Sequence, residues 1–200
     1  MTHFSTISEL QNLSVDLLKF EQKLKLFGDH LGLNFAQYSA DHISLRCNET
    51  AIADRWHQGF LQCGQLMSEN MINGRPICLF ELEEPIALLG WQIDCVELPY
   101  PGKKQYVHEG WEHVELVLPV PPEQLVHEAY KLLPDPLPDI YRTKESHPKS
   151  NNERLPNSTL AVTNGELTIK FHSFPLKEII KSEAWSAKIT FSLCGLSKKF

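Results

Sequence analysis

Two short stretches constrain this chain more than anything else in it. Residues 41–45 read Asp-His-Ile-Ser-Leu and residues 112–116 read Glu-His-Val-Glu-Leu, so an acid-His-β-branched-x-Leu pattern recurs at a spacing of 71 (113 minus 42). On a strand, successive side chains alternate between faces. Ile43, Leu45 and Cys47 then line one face, opposite His42, Ser44 and Arg46; Val114, Leu116 and Leu118 line one face, opposite His113, Glu115 and Val117. Each strand buries an apolar edge and aims a histidine the other way. The pattern reads as two copies of one module whose histidines converge on a metal.

The order of elements repeats with the motif. A strand over Asp41–Cys47 leads through Asn48-Glu49-Thr50, with a cap at Asn48 or Thr50, into a helix over Ala51–Cys63 that Gly64 closes. Apolar stretches at 65–71, 76–82 and 89–98 follow, separated by the hairpin signal Asn73-Gly74 and by Glu83-Glu84-Pro85. After a Pro-Tyr-Pro-Gly linker at 99–102, the strand of Trp111–Leu118 runs through a proline-rich turn into a helix over Glu123–Leu133. Strands at 139–144, 155–162 and 166–174 complete the second copy, the last two joined by Thr163-Asn164-Gly165. Ahead of both lies an amphipathic helix over 5–31, with Leu10, Leu13, Leu17, Phe20, Leu24 and Phe27 on one stripe and Gly28 and Gly32 as stop signals.

The expected fold is therefore α+β. Two paired βαβββ modules, at 40–101 and 102–175, form a curved eight-stranded half-barrel, with an N-terminal helical extension at 1–39 and a tail at 176–200. The tail carries a helical stretch at 176–181 and an unplaced apolar stretch at 185–193, and the polar stretch 144–156 reads as a loop.

Charge and cysteine usage narrow the function classes. A net charge of -6 and scattered Lys and Arg residues argue against a nucleic-acid partner. No apolar run reaches the roughly 18 residues of a membrane span, and the first residues lack the pattern of a signal peptide, so a cytoplasmic location is expected. The five cysteines are odd in number and widely spaced, with no C-x-x-C, and read as small core residues. His108-Glu109-Gly110-Trp111-Glu112-His113 has one residue too many for the helical zinc motif H-E-x-x-H.

Duplicated modules with a histidine on the first strand of each resemble the vicinal-oxygen-chelate superfamily of glyoxalases and extradiol dioxygenases, and within it the YecM-type proteins of bacteria. The resemblance covers about Ala40–Pro175 and implies a divalent metal (Zn, Fe, Mn, Ni or Co) held by His42, His113 and Glu97. Glu97 enters because Glu97-Leu98-Pro99-Tyr100 is similar to the glyoxalase surroundings of a metal-binding Glu. At the fourth position the glyoxalase Glu is replaced: Lys170 and His172 are on offer, with Glu166 near the strand's start. Aligning 93–99 with 169–175 sets Ser173 opposite Glu97 and His172 one residue earlier, which makes His172 a possible fourth ligand. Glu115 is expected as a catalytic base or a partner of the ligands, and Arg46 as a binder of a substrate carboxylate, with an Arg46–Glu115 ion pair as the structural alternative.

The function expected on this reading is metal-dependent isomerase, lyase or dioxygenase chemistry on a small oxygenated molecule, in a monomer or homodimer. The alternatives are a metal-free small-ligand pocket and a partner-binding protein that uses the N-terminal helix.

Overall fold

The computed structural model describes residues 2–146, 156 and 158–182. Two short 3-10 turns lead into α1 (Gln11–Leu31), which ends at Gly32 in the left-handed conformation a glycine adopts without strain. Gly28, expected as a stop, lies inside α1. A side chain there would collide with the Phe35 ring, so the glycine lets the returning chain pack on the helix.

The first module is β1 (Ser39–Arg46), α2 (Thr50–Phe60), β2 (Gly64–Ile72), β3 (Arg75–Leu88) and β4 (Trp91–Pro99). The second is β5 (Gly110–Val117), α3 (Leu125–Tyr130), β6 (Arg142–Ser146), β7 (Thr159–Thr163) and β8 (Thr168–His172). All eight strands form one sheet in the order β2-β3-β4-β1-β5-β8-β7-β6. It is mixed, curved and not closed. Within each module the first strand runs parallel to the last, β1 to β4 and β5 to β8, while β1 and β5 meet antiparallel at the seam. The second half of the order is the first half reversed, as a pseudo-two-fold axis between β1 and β5 requires.

Alternation along the central strands sorts the two faces. Ile43, Leu45, Val96, Leu98, Val114, Leu116, Ile169 and Phe171 are buried in one core with Leu13, Phe20, Leu24 and Phe27 of α1 and Trp56 of α2. Helix α1 is tied to both modules at successive residues. Trp56 Nε1 donates to Asn12 Oδ1 and Trp111 Nε1 to the Leu13 carbonyl, so each buried indole N–H is satisfied.

Several boundaries differ from expectation. Glu83-Glu84-Pro85 does not separate two strands: it lies inside β3, where six residues of β3, Glu81 to Ile86, span only three of β4, Cys95 to Ile93. That bulge tolerates a proline, whose missing N–H would break a regular ladder. The turn is instead Leu89-Gly90, both at positive φ, as are Asn73 and Gly74 in the turn that was expected. Helix α3 is shorter than 123–133, and Pro121 and Pro122 precede it. Asn48 does not cap α2; its side chain binds the Tyr106 backbone on both sides and pins the linker ahead of β5. The tail stretch from Leu176 is helical over 176–182, and the stretch at 185–193 lies outside the described residues. Cys47, Cys63, Cys78 and Cys95 are buried thiols.

Candidate metal centre

The polar face of the central strands converges on one cluster. His42 and His113 occupy equivalent places on β1 and β5, and across the seam His42 stands opposite Glu115 and Ser44 opposite His113. His42 Nε2 lies 3.3 Å and His113 Nε2 3.2 Å from the same oxygen, Glu115 Oε1. One donor atom from each of these three buried residues lies within 4.8 Å of the others. Glu97 reaches the same place from β4, its Oε1 3.7 Å from His113 Nε2 and accepting the Ser44 hydroxyl at 2.6 Å.

The acid before each histidine sits where a regular strand would not put it. The β1–β5 ladder passes from Ala40/Leu116 to His42/Glu115 and from Ser44/His113 to Leu45/Trp111, so Asp41 and Glu112 are each the extra residue of a bulge. The bulges bring each acid round to its own histidine. His42 Nδ1 donates to Asp41 at 2.8 Å and His113 Nδ1 to Glu112 at 2.7 Å. Both rings therefore present Nε2 to the cluster, the orientation that carboxylates impose on metal-binding imidazoles. Glu112 is held in turn by Thr168 at 2.7 Å and Arg46 at 3.2 Å, and Asp41 by the Leu176 amide at 3.0 Å.

His42 Nε2 is buried and makes no hydrogen bond among the described residues, although a carboxylate stands beside it. Burial opposes charging its ring, but Glu115 and Asp41 outweigh burial and push the pKa up to about 10. Burial likewise opposes ionising Glu97 and Glu115, yet Lys170 and the histidines hold both below the usual carboxylate range. His172 moves the other way, its pKa lowered by burial.

Lys170 is the residue that sequence reasoning misplaced. The paired registers Ser44/Glu97 and Glu115/Lys170 make Lys170, and not Ser173, the counterpart of Glu97. Its ammonium donates to Glu115 Oε1 at 2.6 Å and to His113 Nε2 at 2.8 Å. It also replaces the alternative Arg46–Glu115 pair: Glu115 pairs with Lys170, and Arg46 pairs with Glu112 while donating to the Leu45 carbonyl. His172 lies at the edge of the cluster, Nε2 3.5 Å from Asp41 and Nδ1 3.9 Å from Glu115. Glu166 lies away from it and pairs with Lys23 of α1.

The cluster floors a cavity of about 310 Å³ between the wings of the sheet. Ile72, Ile77 and Leu79 line one wall, Thr159 and Ala161 another, and Leu176, Ile179 and Ile180 of the last helical stretch lie over it. Among the described residues no helix is long and apolar enough to cross a membrane.

Comparison with known proteins agrees with this architecture. The protein is 54% identical over 186 residues to "Protein YecM" of Escherichia coli (strain K12), covering 92% of this chain and 98% of that one. An uncharacterized protein of Haemophilus influenzae is 36% identical over 183 residues, 86% of this chain and 94% of that one. A solved structure named "Structural Genomics, Protein EC4020" superposes with a TM-score of 0.86 at 51% identity, over 92% of this chain and 97% of that one. The YecM protein family matches residues 9–183, and the chain belongs to that family.

Proposed function

We propose that this protein is a divalent-metal-dependent enzyme acting on a small oxygenated molecule. The observation that carries the reading is the buried Nε2 of His42, which makes no hydrogen bond among the described residues and is held beside His113 and Glu115 by a ring whose other nitrogen is fixed on Asp41. A buried polar atom without a partner is costly, and a metal ion would supply the partner. Two imidazoles and a carboxylate suit Zn, Fe, Mn, Ni or Co. In this proposal His42, His113 and Glu115 hold the ion, with Glu97 within reach of a small side-chain movement and His172 at the margin.

Bound there, the ion would polarise paired oxygens of a substrate as a Lewis acid. The chain's own groups do the rest. The apolar wall of Ile72, Ile77 and Leu79 desolvates the bound molecule, and the helical stretch over 176–182 covers it. Glu97, beside the three residues that would hold the ion, would be the available proton acceptor. Arg46 is committed to Glu112 and orients His113 through it.

The test is elemental analysis of purified protein and of His42→Ala and His113→Ala. About one equivalent of a transition metal is expected in the parent and none in either folded variant. Unchanged metal content in the variants would overturn the site. A metal-free ligand-binding pocket is the second reading, and Lys170 favours it, because its ammonium already serves as the counter-ion of the carboxylates.

A further inference from the structure

Resting on the metal reading above, we propose that Lys170 sets the metal affinity of this site: its ammonium stands in the fourth corner and competes with the ion for His113 and Glu115. Three observations converge on this. The pairings of β1 with β4 and β5 with β8 place Lys170 where the repeat would put a second Glu97, so a cation replaces a potential ligand. The two atoms Lys170 contacts are two of the three that would hold the ion, His113 Nε2 at 2.8 Å and Glu115 Oε1 at 2.6 Å. And in the first module the equivalent position is a carboxylate, Glu97, which accepts the Ser44 hydroxyl.

The competition is strict at His113. With its Nδ1 proton given to Glu112, Nε2 has a single lone pair, which either accepts the Lys170 N–H or bonds a metal at about 2.1 Å. Loading the site therefore expels the ammonium. The cavity gives it somewhere to go, because Lys170 already lines that space, as do Ser146 and Thr159. A displaced ammonium there faces the substrate with its charge unpaired, next to the ion, where it would hold an anionic oxygen of the bound molecule.

Zn and Mn titrations of metal-stripped parent, Lys170→Met and Lys170→Glu proteins test this by calorimetry, each protein first checked for a cooperative melt. Lys170→Met removes the competitor at similar length and is expected to bind the ion at least about 10-fold tighter. Lys170→Glu adds a fourth ligand and is expected to gain about 100-fold. The rise in Tm on saturating each protein with metal should follow the same order, since a ligand that binds only the folded state stabilises in proportion to the logarithm of its affinity. Should Lys170→Glu fail to fold with three carboxylates together, Lys170→Met decides alone. Equal or weaker binding in Lys170→Met would overturn the role of Lys170 and leave the metal site standing. Failure of all three proteins to bind either ion would overturn the metal reading itself.

Discussion

The two modules share a backbone plan and differ at the two positions that face each other across the pocket. In the first, Ser44 and Glu97 are neighbours on β1 and β4; in the second, the equivalent neighbours are Glu115 and Lys170 on β5 and β8. The first pair is a carboxylate satisfied by a hydroxyl, the second a carboxylate neutralised by an ammonium. What the two modules share is the means of aiming, a bulged acid behind each histidine. What differs is charge. The lesson is that the two modules share the orientation of their donors and not the donors' identity, because orientation is fixed by the ladder and the bulges whereas identity rests on single side chains.

The comparison breaks most easily at its carboxylates. Glu115→Gln keeps the shape but leaves Lys170 partly buried without its directly bonded counter-charge, and loss of one partner of a buried pair costs several kcal/mol. About 3 kcal/mol is expected here, at the lower end because the lysine retains some solvent contact. Glu97→Gln keeps an acceptor for Ser44 and is expected to cost about 1 kcal/mol. Urea denaturation of the metal-free proteins measures both, and equal losses would mean that the two corners are not electrostatically distinct.

Two histidines sharpen the same contrast through pH. His42, in the first module, has its folded pKa raised to about 10, with Asp41 and Glu115 outweighing burial. A raised pKa contributes stability that is fully present below the unfolded value near 6.5 and is lost as pH rises towards the folded value. His172, in the second module, has its pKa lowered by burial, so it weakens the fold as pH falls below the unfolded value. The lowered carboxylates Asp41, Glu97, Glu112 and Glu115 add their own loss at lower pH, below the ordinary carboxylate range. Metal-free protein is therefore expected to be most stable near pH 6.5. Its alkaline limb, followed by urea midpoints, should flatten in His42→Gln, and an unchanged limb in that variant would remove His42 as its source.

Much of this was legible in the chain. The 71-residue spacing located both histidines because the seam strands β1 and β5 are of equal length and open their modules. The fourth corner was not legible. Glu97 to Lys170 is a spacing of 73, two more than the 71 of the histidines, because the segments between first and last strand differ in length by two residues (55 from Glu115 to Lys170 against 53 from Ser44 to Glu97). Matching Ile93 with Ile169 imposed 76, and strand pairing, not likeness along the chain, sets the register. The bulges at Asp41 and Glu112 carry no glycine or proline to announce them. An acid directly before a histidine on both strands was the available sign, since strict alternation would have separated the two side chains. The extent of β3 was hidden for a similar reason, a proline read as a break being accommodated by a bulge.

The smallest effect expected belongs to a second bridging lysine. Lys177, on the helical stretch over the cavity, joins Glu81 of β3 at 2.6 Å and Asp94 of β4 at 2.7 Å, and so fastens the tail that follows the second module onto the first. In form it matches Lys170, one ammonium between two acceptors. In setting it does not, for Glu81 and Asp94 are 35% and 46% exposed whereas Glu115 is 8% exposed. Water and salt screen the outer bridges, and exposed pairs contribute roughly 0.2–1 kcal/mol. Lys177→Ala is therefore expected to lower stability by under about 1 kcal/mol, with the difference shrinking further at high salt, while Glu115→Gln keeps its full cost. A loss in Lys177→Ala as large as that in Glu115→Gln, insensitive to salt, would mean that the helical cover, rather than the charges beneath it, holds the two halves of the pocket together.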